Sequence, residues 1–493
     1  MLFRSEGLFD WLNAQSKAEK LPAVPTEKAS IYVDGQDFGP VVTKVIVELA
    51  EEASSVEVSG LNMKIAGQRH EPGDVYLCDA EGNPAEKSNL VCFEIGAPIY
   101  RGEAPRSFMP PSAPSVFTRT DMSISVYVDE YIVILAADSF TVDGQEYSLQ
   151  VREDCINNRI CPAAEAFNYR SSFAGTYLNQ ITGEEEDQVV SMAAYEPESL
   201  AGGEKNPLII WLHGQGEGGH EPEVAILGNR ASALAMDPIQ GYFHAGDQTG
   251  AYVLIPQIET YFMDEGDNTN GQGAGVSRYT EALMDAINDY LAHNDDVDTN
   301  RIYLGGASNG GYMVMNMLVC YPDVFAAAFP ACEAYSYYAY IKEDGLYVQA
   351  GDADDPIVGN GGCLLDPEAL WFDEEKVELL KDMPIWFMFG VDDGVVPPAW
   401  YEYPTYVSLL QAGAENVYVS LYKGVMHFVW IPLFNNEFKH VQDNEVWKTI
   451  EIPSARDADK SIYQPYWVVT GDGGECTAGE FEGLFDWMNA QSR

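Results

Sequence analysis

The chain has 493 residues, with 77 Asp and Glu against 27 Lys and Arg, a formal net charge of -50 and a pI near 4.2. A surface this anionic repels phosphate backbones and anionic bilayers, which argues against nucleic acid as a partner. No stretch of about 18 consecutive apolar residues exists to span a bilayer, so membrane insertion is not expected either. The length calls for two or three domains, and 46% hydrophobic with 12% aromatic residues is enough to give each a core.

The two ends carry nearly the same segment. Glu6 to Ser16, EGLFDWLNAQS, returns as Glu482 to Ser492, EGLFDWMNAQS, with Leu12 replaced by Met488. Leu8, Phe9, Trp11 and Leu12 fall on one helical face, so each copy reads as a short amphipathic helix. Lys17 to Pro25 is polar and reads as a linker. Residues 1–25 are therefore expected to be a carried-over helix and linker, the closing piece of a preceding unit in a tandem array. The charged opening MLFRSEGLFDW is unlike a signal peptide, while the acidic composition suits an extracellular or saline medium, so a secreted or cell-surface location is expected.

Residues 26–155 follow a period of two. Val41, Thr43, Val45, Val47 and Leu49 share one face of a strand, and Met122, Ile124, Val126 and Val128 share one face of another. Turns such as Glu71-Pro72-Gly73 separate the runs and no strong helix interrupts them, which predicts an all-β immunoglobulin-like sandwich. His70 reads as a loop residue.

From residue 156 to 493 strands alternate with helices. Leu208–Leu212, Tyr252–Pro256, Ile302–Leu304, Ile385–Gly390 and Val417–Tyr422 read as short buried strands, and Ser277–Leu291 has helical spacing. The pattern predicts an α/β fold with a mostly parallel central sheet covered on both faces. Ligands of such sheets bind beyond the carboxyl ends of the strands.

At that edge lies Gly306-Ala307-Ser308-Asn309-Gly310, a G-x-S-x-G sequence between the strand Ile302–Leu304 and an apolar helix through Tyr312–Val319. This is the form of a nucleophile elbow, whose turn is too tight for flanking side chains and which projects the serine from the sheet. A serine nucleophile needs a base, and the base needs an acid to hold its tautomer. Of the downstream histidines, His427 follows a buried strand through a short glycine turn, whereas His440 sits in a polar helical stretch. Asp392 and Asp393 directly follow the strand Ile385–Gly390, and the turn after Asp393 favours it as the acid. The expected triad is Ser308, Asp393 and His427.

An oxyanion needs amide donors. Asn309 N–H at the start of the helix supplies one, and the glycine loop His213-Gly214-Gln215-Gly216-Glu217 supplies another through Gln215 or, failing that, Gly216. His213 is read as structural and Glu217 as an anchor of that loop. No cofactor is expected. Gly271 to Gly275 lacks a dinucleotide fingerprint, and Asp352 to Asp355 reads as a solvated acidic loop rather than a calcium site. The eight cysteines show no CxxC spacing, so no zinc site is expected. Cys155 and Cys161 are close enough in sequence for a local bridge, and Cys320 is expected to be a buried thiol.

With LIIWLHGQGEGG, VLIPQ, NRIYLGGASNGGYM, FGVDDGVVPP and KGVMHF in this order, the chain from about Phe167 to Arg493 resembles the α/β-hydrolase serine esterases of the polyhydroxybutyrate depolymerase and feruloyl esterase group. The stretch VDGQDFGPVVTKVIVEL looks like the immunoglobulin-like domain that precedes some bacterial esterases. The resemblance implies nucleophile, acid and base at Ser308, Asp393 and His427, an oxyanion loop at Gln215, and a closing helix like GLFDWMNAQSR. Glu6 to Ser16 would then be the tail of a neighbouring hydrolase in a longer chain. The departure is a lid-like insertion at 335–383, aromatic and acidic, expected to shape the pocket together with Tyr335, Tyr337, Tyr338, Trp371 and Trp430. The expected activity is hydrolysis of a small or polymeric carboxylic ester. A serine peptidase of similar fold and a non-catalytic polymer-binding module are the alternatives.

Overall fold

The computed structural model describes residues 21–37, 39–96, 115–120, 124–180, 182–198, 200, 205–244, 246–264, 266, 277–335, 338–341, 347–348, 370–372, 374–390, 393–396, 398, 401–422, 425–436 and 481–493. The N-terminal copy of the repeated helix, Tyr337, Asp392, His440 and the loops at Gly271–Gly275 and Asp352–Asp355 lie outside these residues.

The front of the chain is a β-sandwich. One sheet runs Arg159–Ile160, Thr26–Gln36, Gly39–Ala53, Ser88–Ile95 and Pro72–Cys78, and the other contains Gln145–Asp154, Ile132–Val142, Asn62–Ile65 and Gln68–His70. Ala29, Ile31, Val33, Val91 and Phe93 from the first sheet meet Met63, Val133, Leu135 and Leu149 from the second. The alternation expected along Val41–Leu49 changes phase. A register shift opposite Thr43 turns Val42 into the core beside Val45, Val47 and Leu49, so Val41 and Thr43 leave that face. His70 ends a short strand and is buried, not in a loop. A separate hairpin pairs β1, Phe117–Arg119, with β2, Ser125–Tyr127, so the strand expected over Met122–Val128 is much shorter.

The second unit is an eight-stranded sheet. Its strands are β3 (Tyr169–Leu178), β4 (Glu185–Tyr195), β5 (Asn206–Leu212), β6 (Tyr252–Gln257), β7 (Val297–Ala307), β8 (Ala327–Ala331), β9 (Ile385–Gly390) and β10 (Val417–Tyr422), ordered 3-4-6-5-7-8-9-10. From β6 to β10 all pairings are parallel, and only β3 and β4 at one edge pair antiparallel. β5 shows why the sheet needs cover on both faces. Leu208, Ile210 and Leu212 enter one core, while Ile209 and Trp211 enter the other.

Helices α1 (Pro222–Gly228), α2 (Thr280–Ala292), α3 (Asn309–Cys320), α4 (Glu402–Gln411), α5 (Trp430–Phe434) and α6 (Leu484–Asn489) supply that cover. Residues of α2, α3 and α4 share the core of Leu208 and Ile210. Those of α1, α5 and α6 share the core of Trp211, which runs without a break into the sandwich interior. Among the described residues no helix is long and apolar enough to cross a membrane. Cys155 and Cys161 are separate buried thiols, and Cys320, near the end of α3, is exposed rather than buried.

The C-terminal copy of the repeated segment forms α6, whose Leu484, Phe485, Trp487 and Met488 are all buried. Trp487 packs edge-on against Trp386 and Tyr418, with ring centroids 5.4 and 5.6 Å away, and donates Nε1–H to Asn416 Oδ1 at 3.0 Å. Trp487→Ala should therefore lower stability by about 3–5 kcal/mol, read as a lower urea midpoint. An unchanged midpoint would show that α6 is not part of the cooperative core.

Candidate active site

Ser308 caps α3 with φ 57 and ψ -114, a left-handed backbone that a non-glycine residue adopts at a cost. The cost is imposed by the turn between β7 and α3. A Cβ on Gly310 would sit 2.0 Å from the Leu212 carbonyl oxygen, and one on Gly306 would sit 2.7 Å from the Gly310 backbone. Ser308 N–H donates to Ala331 O at 2.8 Å, which fastens the turn to β8. Cys332 and Met426, at φ 40 and 51, are further non-glycine residues in the left-handed region, and both adjoin the site.

Asp393 follows β9 and is buried. Its Oδ1 accepts the N–H groups of Val395 and Val396 at 2.8 and 2.9 Å, so the turn after the strand aims the carboxylate. Its Oδ2 accepts a hydrogen bond from His427 Nδ1 at 2.6 Å. With Nδ1 committed to Asp393, Nε2 is the nitrogen left for proton transfer. β7, β9 and β10 are parallel, so Ser308, Asp393 and His427 all emerge at the same edge of the sheet.

The loop after β5 lies beside the elbow. Asn309 is buried, its Oδ1 accepts Met263 N–H at 3.2 Å, and as the first residue of α3 its own N–H lacks an intrahelical acceptor. Gln215 is half-buried in the turn of the loop. His213 Nδ1 donates to Gly214 O at 2.8 Å and Nε2 accepts Ile258 N–H at 3.3 Å. Burial pushes its pKa down to about 4, which keeps it a neutral strut. Glu217 Oε2 accepts Gly214 N–H at 2.7 Å, and Gln257 donates to Glu217 O at 2.8 Å. Burial pushes the Glu217 carboxyl up to about 8, against a smaller opposing pull from Gly214 N–H and Arg119.

The expected pocket aromatics separate. Tyr335 is fully buried, with its ring 5.4 Å from Tyr312 and Lys376 over its face, so it is a packing residue and not a pocket wall. Trp430 stands edge-on to His427 at 5.7 Å and donates Nε1–H to Asp37 O of the sandwich at 3.1 Å. Tyr338 and Trp371 lie on adjacent strands of a small three-stranded sheet within the insertion, and their side chains lie outside the described residues, as does all of Tyr337.

Sequence reasoning missed three neighbours of the triad positions. Cys332 Sγ, an Asp393 oxygen and a His427 ring nitrogen lie within 4.8 Å of one another. At 2.6 Å the Asp393–His427 pair is closed by its hydrogen bond and leaves no room between them for an ion. Glu333 and Glu402 are buried nearby, and burial holds both carboxyls well above their ordinary range, with Glu333 and Asp393 adding to the effect on Glu402. The only signal for Glu333 was its place two residues after β8, at the same sheet edge as the serine.

The model of the prolyl oligopeptidase family matches residues 277–447, which hold Ser308, Asp393 and His427. A poly(3-hydroxyalkanoate) depolymerase C from Paucimonas lemoignei is 31% identical over 115 residues, covering 22% of this chain and 26% of that protein. A poly(3-hydroxybutyrate) depolymerase from Ralstonia pickettii is 26% identical over 148 residues, covering 28% and 30%. The chain thus spans less than a third of the length of either depolymerase. The crystal structure of a thermostable esterase aligns over 83% of this chain and 97% of its own, with TM-score 0.58 and 20% identity. The chain has the α/β-hydrolase fold, preceded by a β-sandwich, and its sequence is similar to hydrolases.

The buried Glu217 yields a test. Unfolded, the carboxyl titrates near its ordinary value of 4.5, whereas folded it holds its proton to about pH 8. A raised pKa stabilises the fold fully below the unfolded value and loses that contribution as pH climbs towards the folded one. Between pH 5 and 8 the wild type should lose on the order of a few kcal/mol from this group. Glu217→Gln should flatten that part of the curve in urea unfolding at stepped pH. An identical slope would remove Glu217 as the source.

Proposed function

We propose that the chain is a serine carboxylesterase that cleaves carboxylic esters through an acyl-enzyme on Ser308. The observation that carries this reading is the 2.6 Å hydrogen bond from His427 Nδ1 to Asp393, formed at the sheet edge where the elbow projects Ser308. In this mechanism His427 Nε2 takes the Ser308 hydroxyl proton as Oγ attacks the ester carbonyl. The N–H groups of Asn309 and Gln215 receive the oxyanion of the tetrahedral intermediate. His427 then returns the proton to the departing alcohol and activates the water that releases the acid, while Asp393 keeps the imidazole in one tautomer.

Short-chain, aryl or feruloyl, and polyester-type esters are the substrate classes to consider, and the depolymerase likeness favours the last. A serine peptidase is the second reading, supported by the match to the prolyl oligopeptidase model. The same side chains would serve it, but an amide requires protonation of a poorer leaving group, and the sequence carries no sign of a chain-binding subsite. A secreted or cell-surface setting fits the strongly acidic composition.

Hydrolysis of p-nitrophenyl acetate, a feruloyl ester and a peptide anilide separates the readings. Wild type should turn over esters far faster than the anilide, and Ser308→Ala should lose about a millionfold in kcat. Comparable activity in the alanine variant would sink the nucleophile assignment, and preference for the anilide would favour the peptidase.

A further inference from the structure

The loop from His213 to Gly219 is held from two sides, and one side is the separate hairpin of the front domain. On the hydrolase side, Glu217 and Gln257 make the bonds described above. On the other side stands the hairpin of β1 and β2, stiffened by Phe117 against Tyr127 with ring centroids 4.3 Å apart. Ser125 Oγ donates to Gly216 O at 2.6 Å. Ile124 forms a parallel bridge with Gly218, and its Cγ2 would meet a Cβ on Gly219 at 3.6 Å. The Arg119 guanidinium lies directly on Gly216, where a Cβ would come within 2.4 Å of Nη2 and 2.6 Å of Cζ. Arg119 also attracts the Glu217 carboxyl.

These contacts matter because of what the loop is made of. Gly214, Gly216, Gly218 and Gly219 contribute no side chains to pack, and glycine loses more backbone freedom on ordering than any other residue. Gly216 sits at φ +96, which other residues rarely adopt, so the chain has kept freedom there and must restrain it from outside. A bond to the Gly216 carbonyl fixes the peptide plane next to the Gln215–Gly216 donors. A cation over the same residue blocks the loop from lifting.

We propose that Ser125 and Arg119 are positioning residues for the oxyanion loop, so that the hydrolase unit depends on two side chains supplied by the hairpin of the front domain. The proposal rests on the reading of Ser308 as nucleophile and of this loop as oxyanion donor. Neither side chain need touch substrate. Its mark is therefore on kcat and on transition-state affinity, with little change in ground-state binding.

The test uses the full chain, with Ser125→Ala, Arg119→Ala and the conservative Ser125→Thr and Arg119→Lys. Turnover of p-nitrophenyl acetate is measured beside inhibition by phenylboronic acid, which forms a tetrahedral serine adduct. Each alanine variant should lose roughly 10- to 100-fold in kcat, with KM within about twofold and boronate affinity falling in step with kcat. Ser125→Thr, which keeps the hydroxyl, should recover most of the loss, while melting temperatures stay alike. Unchanged kcat and boronate affinity in both alanine variants would overturn the proposal and leave the nucleophile reading intact. A rise in KM alone would overturn it as well, since it would mean substrate contact. Wild-type turnover that survives in Ser308→Ala would overturn both readings together.

Discussion

The candidate site depends on one close approach, the first turn of α3 against the carboxyl end of β5. A Cβ on Gly310 would stand 2.0 Å from the Leu212 oxygen, a distance no side-chain carbon tolerates. Leu212 immediately precedes the loop that starts at His213, so this contact sets the spacing between Ser308 and that loop. The strain at Ser308 costs on the order of 1–3 kcal/mol. It is offset by the packing of α3, where Met313, Val314, Met317 and Leu318 are completely buried, each burial stabilising by roughly 1.5–3 kcal/mol. The elbow is thus the result of a helix that cannot pack without forcing the turn.

In a chain of net charge -50, the carboxyls around the site are treated in two ways. Asp393 receives donors from Val395, Val396 and His427, an environment equipped to carry charge. Glu402 is buried with neither oxygen hydrogen-bonded among the described residues, and Glu333 has one oxygen in the same condition. Burial holds these two well above the carboxylate range. The acid paired with the histidine is distinguished from its neighbours by hydrogen-bond supply, since all of them are buried.

Much of this was legible in the sequence because local rules decide it. The five strands read from apolar runs are all present, the helix read from Ser277 to Leu291 runs from Thr280 to Ala292, and the order of serine, aspartate and histidine positions follows the order of parallel strand ends. His213 and Glu217, read as supports of their loop, do support it. What was not legible depends on contacts between distant segments. Tyr335 looked like a pocket aromatic because it opens the aromatic, acidic insertion expected over the serine, yet it is fully buried and Tyr312, from α3, covers it. The face of Val41–Leu49 was misjudged because one bulge opposite Thr43 reverses a period of two, and nothing in the local composition marks it. Ser125 and Arg119 carry no motif at all, and only the docking of the hairpin gives them a partner some ninety residues away.

That docking bears on how the two units act. The front domain meets the site at two separated places, since Trp430, edge-on to His427, also donates to Asp37 O, while the hairpin of β1 and β2 grips the loop at Gly216. Asp37 further pairs with Arg230 at 3.4 Å, and the Trp211 core forms one buried cluster with the sandwich interior, with Leu227 set against Gly35. Two units joined by a continuous apolar core move as one body more readily than units joined by a polar interface. A displacement of the front domain would therefore be felt at His427 and at the Gly216 loop together. The front domain is in physical terms a wall of the hydrolase, and its removal would expose Leu227, which lies against Gly35, along with the loop it restrains.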